Sequence, residues 1–236
     1  MAIALLLRHG RTRANAQGLL AGWTPGIGLD ERGQEQVALV AGRLRDTPIV
    51  AVHSSPLQRC LETAQAVLDA RAEPALVTED DLGEARYGAW TGRSLKDLAK
   101  EPLWKDVQQR PSSVTFPDGA DYPAESMTQM QTRAVAVVQR IDAAVEAAHG
   151  PGAVWVAVSH GDVLKAILAH ALATPLDEFQ RIVVDPASVS VVRYTTERAF
   201  VLRTNDTSGD AVDLRAVSRA ARPDDEAQVG GGAGSD

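Results

Sequence analysis

Short apolar runs alternate with longer segments of helical periodicity along most of this chain. Residues 2–7 (AIALLL) are continuously apolar and end in a polar turn, which predicts a buried strand. Residues 30–45 carry apolar side chains three and four positions apart, the spacing of an amphipathic helix. The alternation continues, with strands predicted at 48–53, 75–78 and 153–158, helices at 125–148 and 163–172, and a late hairpin at 188–194 and 199–203.

Strands that alternate with helices indicate an α/β fold, here a single-domain α/β/α sandwich with a mostly parallel, doubly wound sheet. A further helix is predicted to open at Ser55-Pro56, with Ser55 as N-cap and Pro56 in the first helical position. Residues 80–121 are irregular and rich in Trp, Gly, Pro and charge, with a helix expected near 94–109. The predicted domain covers residues 1–204, and the acidic, glycine-rich residues 205–236 are predicted to be a disordered tail.

Composition narrows the class of protein. The 236 residues are 44% hydrophobic and contain no apolar run long enough to span a membrane. The single cysteine, Cys60, excludes a disulfide framework and a cysteine-based zinc site. Residues 205–236 hold seven acids and three arginines and so carry −4 of the −7 net charge, which leaves the predicted domain nearly neutral. We therefore expect neither nucleic acid nor a membrane as partner. Because we see no targeting signal, we expect a cytoplasmic protein. We expect it to be a monomer or a homodimer.

Polar residues follow three of the predicted strands directly. Doubly wound sheets bind ligands at the carboxyl ends of their strands. Those ends carry Arg8-His9-Gly10, His53-Ser54-Ser55 and Ser159-His160-Gly161. Glycine beside a histidine lets a ligand approach the backbone closely. Two His-Gly pairs in equivalent settings arise by chance much less readily than one.

Two more residues extend this candidate site. Arg59 lies near the start of a predicted helix, where its charge opposes the helix dipole unless an anion binds there. Glu84 lies in a loop dense with Gly, Tyr and Trp, which could shield its carboxyl from water and raise its pKa. Each residue has an ordinary alternative when taken singly: His9 as a strand cap, Arg59 in a salt bridge to Glu62 or Glu35, and Glu84 as a solvated loop residue.

Taken together, these residues fit phosphoryl transfer. Two arginines and a histidine would surround a phosphoryl group, a second histidine would attack it, and a carboxylic acid would protonate the leaving oxygen. Arginines supply the positive charge that a metal otherwise provides, and they keep the attacking imidazole neutral before substrate binds. We find no convincing metal-binding cluster in the sequence, so we expect no metal.

The chain resembles the histidine phosphatase superfamily, also called phosphoglycerate mutase-like, over about residues 3–204. The signature Arg-His-Gly-x-Thr-x-x-Asn appears at residues 8–15, and Leu-Thr-x-x-Gly-x-x-Gln appears at 29–36 with Asp30 in place of Thr. Ser-Ser-Pro-x-x-Arg-x-x-x-Thr-Ala matches residues 54–64. The loop at residues 82–92, which carries Glu84 and is called the acid loop below, also matches, as does Val-Ser-His-Gly at 158–161. The resemblance implies the phosphoglycerate mutase-like fold.

The resemblance also implies roles for individual residues. His9 would become the phosphohistidine, Glu84 would be the proton donor, and Arg8, Arg59 and His160 would bind the phosphoryl group. The secondary substrate contacts it implies are Thr12, Asn15, Gly22, Trp23, Tyr87 and Gly161. The segment 80–121 is expected to shape the pocket for the rest of a small phosphorylated metabolite.

Two activities occur in such a family, and the sequence favours one. Cofactor-dependent mutases typically use a lysine and an adjacent arginine pair after the acid loop. Here Lys96 or Lys100 is available as the lysine, but Arg110 stands alone, and Asp162 replaces the usual Asn after the last His-Gly. We therefore expect a metal-independent phosphatase that needs no cofactor. The alternative is a phosphoglycerate mutase dependent on 2,3-bisphosphoglycerate; a non-catalytic binding member is disfavoured because every core site residue is present.

Overall fold

A six-stranded sheet forms the centre of the protein, in a computed structural model that describes residues 2–69, 71 and 73–207. The strands are β1 (Ile3–Arg8), β2 (Ile49–Ser54), β3 (Leu76–Thr78), β4 (Val154–Ser159), β5 (Val189–Tyr194) and β6 (Ala199–Asp206). Their order is β3-β2-β4-β1-β5-β6. The first four in that order are parallel, and β5 and β6 add an antiparallel hairpin at one edge. The predicted mostly parallel sheet is confirmed.

Helices cover both faces of this sheet because its strands are apolar on both sides. Along β1, Ala4 and Leu6 pack with one hydrophobic cluster, whereas Leu5 and Leu7 pack with another. This is the two-residue alternation of a strand that is buried on both faces. The helices are α1 (Arg13–Ala16), α2 (Glu31–Leu44), α3 (Gln58–Leu68), α4 (Leu95–Leu98), α5 (Leu103–Gln109), α6 (Met127–His149) and α7 (Gly161–Ala171). Residues of α2 and α3 join the Leu5 cluster, and residues of α6 and α7 join the Ala4 cluster.

Two local predictions are wrong. The helix after β2 begins at Gln58, with Leu57 rather than Ser55 at the N-cap, and no side chain caps it. The single helix expected near 94–109 is two helices, α4 and α5, separated at Pro102. Within 80–121, Trp90 is buried and contacts the buried rings of Trp104 and Phe116. These aromatic side chains belong to the core.

The last strand extends past residue 204, the predicted end of the domain. The strand β6 includes Asn205 and Asp206, which the sequence pattern assigned to the tail. Asp206 forms an ion pair with Arg43 of α2 at 2.6 Å, so this last strand is tied to the helical layer. Residues 208–236 of the predicted tail lie outside the described residues. Among the helices that the structure describes, none has the length and apolar character needed to cross a membrane.

Candidate active site

The central strands β1 and β4 bring two histidines side by side. Each strand ends immediately before a histidine, and the backbone N–H of His9 donates to the Ser159 carbonyl at 3.0 Å. The His9 and His160 ring centroids are 5.2 Å apart, at an interplanar angle of 62°. Both side chains are buried. Parallel pairing therefore places the two predicted His-Gly turns at one edge of the sheet.

The hydrogen bond of His9 fixes which ring nitrogen carries the proton. Its Nδ1 lies 2.7 Å from the Gly10 carbonyl oxygen, which only accepts, so Nδ1 is the donor. The other nitrogen, Nε2, then carries the lone pair of the neutral ring. Burial and the charges of Arg59 and Arg8 lower the pKa of His9 well below its usual value. The side chain is thus a neutral imidazole with a nucleophilic nitrogen available.

Two buried arginines supply the positive charge of the site. Arg8 ends β1, and its Nη1 donates to the Val184 carbonyl at 2.7 Å. Arg59 is the second residue of α3, and its Nη2 donates to the Gly22 carbonyl at 2.9 Å. Because the N-terminus of a helix also carries partial positive charge, α3 adds to the field around Arg59. Buried cations at a helix start favour an anion such as a phosphoryl group.

Glu84 is held on a buried loop against the second histidine. Its Oε2 lies 3.7 Å from Nδ1 of His160, and its Oε1 accepts from the backbone N–H of Ala85 at 3.0 Å. Burial, followed by the charge of Asp162, raises the pKa of Glu84 to about 7. A carboxyl group with this pKa holds and releases a proton near neutral pH, as a general acid requires.

His160 occupies the N-cap of α7 and is uncharged. Its Nε2 lies 2.8 Å from the Ser55 hydroxyl and 3.4 Å from the Cys60 thiol. Burial and the charge of Arg59 lower the pKa of His160 well below its usual value. Burial likewise raises the pKa of Cys60 to about 12, so the thiol stays protonated. The site therefore presents two neutral imidazoles between two arginines.

The remaining predicted contacts surround this centre in different ways. Thr12 caps α1 and exchanges hydrogen bonds with Asn15, so these two side chains stabilise the turn after His9. Gly22 has a φ of +51°, a conformation that favours glycine, and it presents its carbonyl to Arg59. Gly161 is the first residue of α7, next to His160.

Trp23 contacts the acid loop, and Tyr87 is part of that loop. Trp23 Nε1 donates to the Glu84 carbonyl at 2.7 Å, and the Arg86 guanidinium carbon lies 5.7 Å from the Trp23 ring centroid. Tyr87 is fully buried, and its hydroxyl donates to Asp162 Oδ2 at 3.0 Å. Tyr87 therefore faces a buried carboxylate, an arrangement that differs from the direct substrate contact expected for it.

An arginine that the sequence did not single out holds the acid loop in place. Arg133 of α6 donates to the backbone carbonyls of Asp81, Gly83 and Glu84 at 2.8 to 3.0 Å. It also donates twice to the Glu125 carboxylate, at 2.6 and 3.0 Å. Nothing in the sequence pairs Glu125 with a residue eight positions later on a helix.

Among the described residues, no group of three or more His, Cys, Asp or Glu side chains is arranged to hold a metal ion. The charged groups of the site are instead the arginines and Glu84. This arrangement can bind a phosphoryl group, attack it with a neutral imidazole and donate a proton.

A family model and several known proteins match most of this chain. A family model described as the histidine phosphatase superfamily (branch 1) matches residues 4–207. The bifunctional protein Rv2228c of Mycobacterium tuberculosis is 34% identical over 207 residues, covering 87% of this chain and 54% of that protein. The chain thus spans about half the length of the first curated relatives it matches. The Yersinia pestis protein named "Probable phosphoglycerate mutase GpmB" is 33% identical over 190 residues, 80% of this chain and 83% of that one.

Solved structures share the fold over nearly their whole length. YhfR of Bacillus stearothermophilus has a TM-score of 0.77 and 27% identity, covering 88% of this chain and 98% of its own. The alpha-ribazole phosphatase of Shigella flexneri has a TM-score of 0.72 and 25% identity, covering 89% and 98%.

Proposed function

Because the chain belongs to the histidine phosphatase superfamily, we propose that it is a phosphomonoester hydrolase that works through a phosphohistidine at His9. The observation that carries this proposal is the hydrogen bond from His9 Nδ1 to the Gly10 carbonyl at 2.7 Å. It fixes the tautomer whose Nε2 lone pair attacks phosphorus. The neutral state of the buried ring supports the same role, since a protonated imidazole has no lone pair to donate.

The proposed reaction has two balanced steps. In the first, the Nε2–P bond of His9 forms, the ester P–O bond breaks, and Glu84 gives its proton to the departing alcohol oxygen. In the second, Glu84 takes a proton from water, the water oxygen bonds to phosphorus, and the N–P bond breaks to release phosphate and neutral His9. Arg8, Arg59 and His160 hold the phosphoryl oxygens in both steps.

Two of the cations considered for a mutase, Lys100 and Arg110, form ion pairs on the surface. Lys100 pairs with Asp97 at 2.8 Å on the surface, and Arg110 pairs with Asp106 at 2.7 Å at the end of α5. Both cations are more than two-thirds exposed. This placement supports hydrolysis over a mutase reaction dependent on 2,3-bisphosphoglycerate. The likeness to a protein named as a phosphoglycerate mutase is the observation that keeps the mutase as the second candidate.

The substrate class in this proposal is a small phosphorylated metabolite. The reactive side chains of His9, Glu84 and His160 are almost fully buried, so the site favours a small ester over a bulky phosphorylated partner. The proposal includes a cytoplasmic enzyme that uses neither a cofactor nor a metal ion, with neither nucleic acid nor a membrane as partner. Its single cysteine, buried and protonated, fits a reducing compartment.

A covalent trap and a product assay test the proposal together. The enzyme is incubated with a panel of phosphomonoesters in a metal chelator, and samples are quenched in alkali, where a phosphohistidine survives. We expect phosphate release and a trapped phosphoenzyme, both abolished in His9→Ala. The matched control is His170→Ala, an exposed histidine near the end of α7, which should retain both.

A second arm separates the two candidate activities. The enzyme receives 3-phosphoglycerate with and without 2,3-bisphosphoglycerate, and isomerisation is followed beside phosphate release. Release without isomerisation supports the phosphatase. Isomerisation that depends on the bisphosphate would make the chain a mutase, and His9-independent release would reject the covalent mechanism.

A further inference from the structure

Asp162 is a buried acid beside the site that the proposed steps leave without a role. It is the second residue of α7, two positions after His160, and it is 1% exposed. The Tyr87 hydroxyl donates to its Oδ2 at 3.0 Å, and Nζ of Lys165 lies 3.8 Å from its Oδ1. Lys165 is itself buried and donates to Gln180 at 3.0 Å. Asp162 is therefore enclosed between Tyr87 and Lys165.

Three features around Asp162 compensate for the burial of its carboxyl group. The first turn of α7 presents the positive end of the helix dipole to it. The hydroxyl of Tyr87 gives it a hydrogen bond, and Lys165 supplies a cation nearby. A buried carboxylate without such support is costly, so these three features account for its presence.

Glu84 is linked to Asp162 by two short routes, one through His160 and the other through Tyr87. Its carboxylate contacts His160 at 3.7 Å, and the chain then leads through Gly161 to Asp162. From the other direction, Tyr87 is three residues after Glu84 and is bonded directly to Asp162. The charge of Asp162 disfavours ionisation of Glu84, because a negative charge nearby opposes a second one.

Charges from several elements act on Glu84, and their signs differ. Arg8 at the end of β1 and Arg59 on α3 favour the ionised form, as does Lys165 on α7. Burial and Asp162 favour the protonated form, while the neutral His160 adds no charge. The resulting pKa of about 7 shows that burial and Asp162 outweigh the arginines.

We propose that Asp162 is a positioning residue for the catalytic proton: its buried charge favours the protonated form of Glu84 in the resting site. This inference rests on the proposed function, in which Glu84 protonates the leaving alcohol. It also gives a physical reason for an acid at a position where a substrate phosphate would be repelled. The Asp162 charge acts on Glu84 within this buried cluster, and its Oδ2 accepts from the Tyr87 hydroxyl.

The test is Asp162→Asn, which keeps the size of the side chain and an oxygen for the Tyr87 hydroxyl but removes the charge. The pH dependence of kcat/KM is measured with glycerol phosphate, whose alkoxide needs a proton, and with p-nitrophenyl phosphate, whose phenolate leaves without one. With glycerol phosphate, we expect the alkaline limb of the kcat/KM profile to move to lower pH by about one unit. The value of kcat/KM at pH 8 should then fall roughly tenfold. Activity at pH 5 should stay within about twofold, and p-nitrophenyl phosphate should show little change.

Lys165→Gln gives an independent prediction of opposite sign. Removing this cation leaves the Asp162 charge less compensated, so the alkaline limb should move to higher pH. The matched control is Asp142→Asn on α6, a buried acid that accepts from Trp155 Nε1 at 2.9 Å and lies in another part of the core. It should leave the limb in place.

Two results would overturn the inference. One is an unmoved alkaline limb in both the Asp162 and Lys165 variants. The other is an equal loss for both substrates at every pH, which would indicate a structural role only. Neither result bears on whether His9→Ala abolishes hydrolysis, so this inference and the proposed function can fail separately.

Discussion

Replacing Arg133 with methionine should loosen the loop that carries Glu84 and destabilise the fold. Methionine keeps most of the length and apolar volume of the arginine stem but removes its five hydrogen bonds. Three of these bonds hold backbone carbonyls of the acid loop, and two hold the Glu125 carboxylate. The variant therefore tests whether a helix distant in sequence fixes the position of the proposed acid.

The magnitude follows from the burial of the pair. The Glu125 side chain is 6% exposed and the Arg133 side chain 12%. After substitution, the Glu125 carboxylate keeps the hydrogen bond from the backbone N–H of Arg86, at 2.9 Å. Removing one partner of a buried pair costs about 3–5 kcal/mol because the other charge stays buried. For a domain of this size, that corresponds to a fall in melting temperature of about 10 °C.

Urea unfolding and steady-state kinetics measure the two consequences separately. We expect the free energy of unfolding to fall by about 3 kcal/mol. We also expect kcat to fall by about tenfold to a hundredfold, since a small displacement of a catalytic group is costly. The double variant with both Arg133→Met and Glu125→Gln should be more stable than Arg133→Met alone, because it no longer buries an unpaired charge.

Arg140 on the same helix is the matched control. It pairs with Glu79 at 2.7 Å but is 60% exposed, so Arg140→Met should cost less than about 1 kcal/mol and leave kcat unchanged. Equal losses of stability in the two variants would refute the reasoning from burial. An unchanged kcat in Arg133→Met would show that the loop holds Glu84 without this arginine.

Three further predictions concern the acid, a glycine contact and the thiol. Glu84→Gln should lower kcat by about 10²- to 10⁴-fold for alkyl phosphates but much less for p-nitrophenyl phosphate, in parallel assays of the two substrates. Gly33→Ala should destabilise the fold by more than about 2 kcal/mol in urea unfolding, because its Cβ would lie 2.0 Å from the Arg11 carbonyl oxygen. Gly42→Ala on the same helix meets no atom within 4 Å and should instead stabilise by up to about 1 kcal/mol. Cys60 should resist alkylation in the native protein at pH 8 and react once the chain is unfolded, as counted by mass spectrometry.

The positions of His9 and His160 were predictable because the signals are local. An apolar run followed directly by Arg-His-Gly predicts a strand end, and parallel strands place their carboxyl ends at one edge of the sheet. The helical spacing in residues 30–45 likewise predicts α2, which runs from Glu31 to Leu44 with Asp30 as its N-cap. The strands and α2 can be predicted from short-range periodicity. The pairing of His9 with His160 then follows from the parallel order of the strands.

The start of α3 was mispredicted because the site uses the residue that would have capped it. The Ser55 hydroxyl lies 2.8 Å from Nε2 of His160 and accepts the Leu57 N–H at 3.3 Å, so it lies outside the helix it was expected to cap. The break between α4 and α5 has a different cause. Pro102 has no N–H to donate and disfavours helical geometry at the residue before it, so a continuous helix through this point is strained.

Asp162 and Arg133 show where local reasoning stops. Beside His160 in the sequence, an aspartate looks like a neighbour of the substrate, but the first turn of α7 directs it toward Tyr87, 75 positions away. Arg133 reaches Glu84 from 49 positions away, through carbonyl oxygens that carry no sequence signal. Both residues act on the group that moves the proton, one through charge and the other through position. Motifs therefore point to the proposed reactive groups, whereas the pKa and placement of those groups depend on contacts that only the folded chain creates.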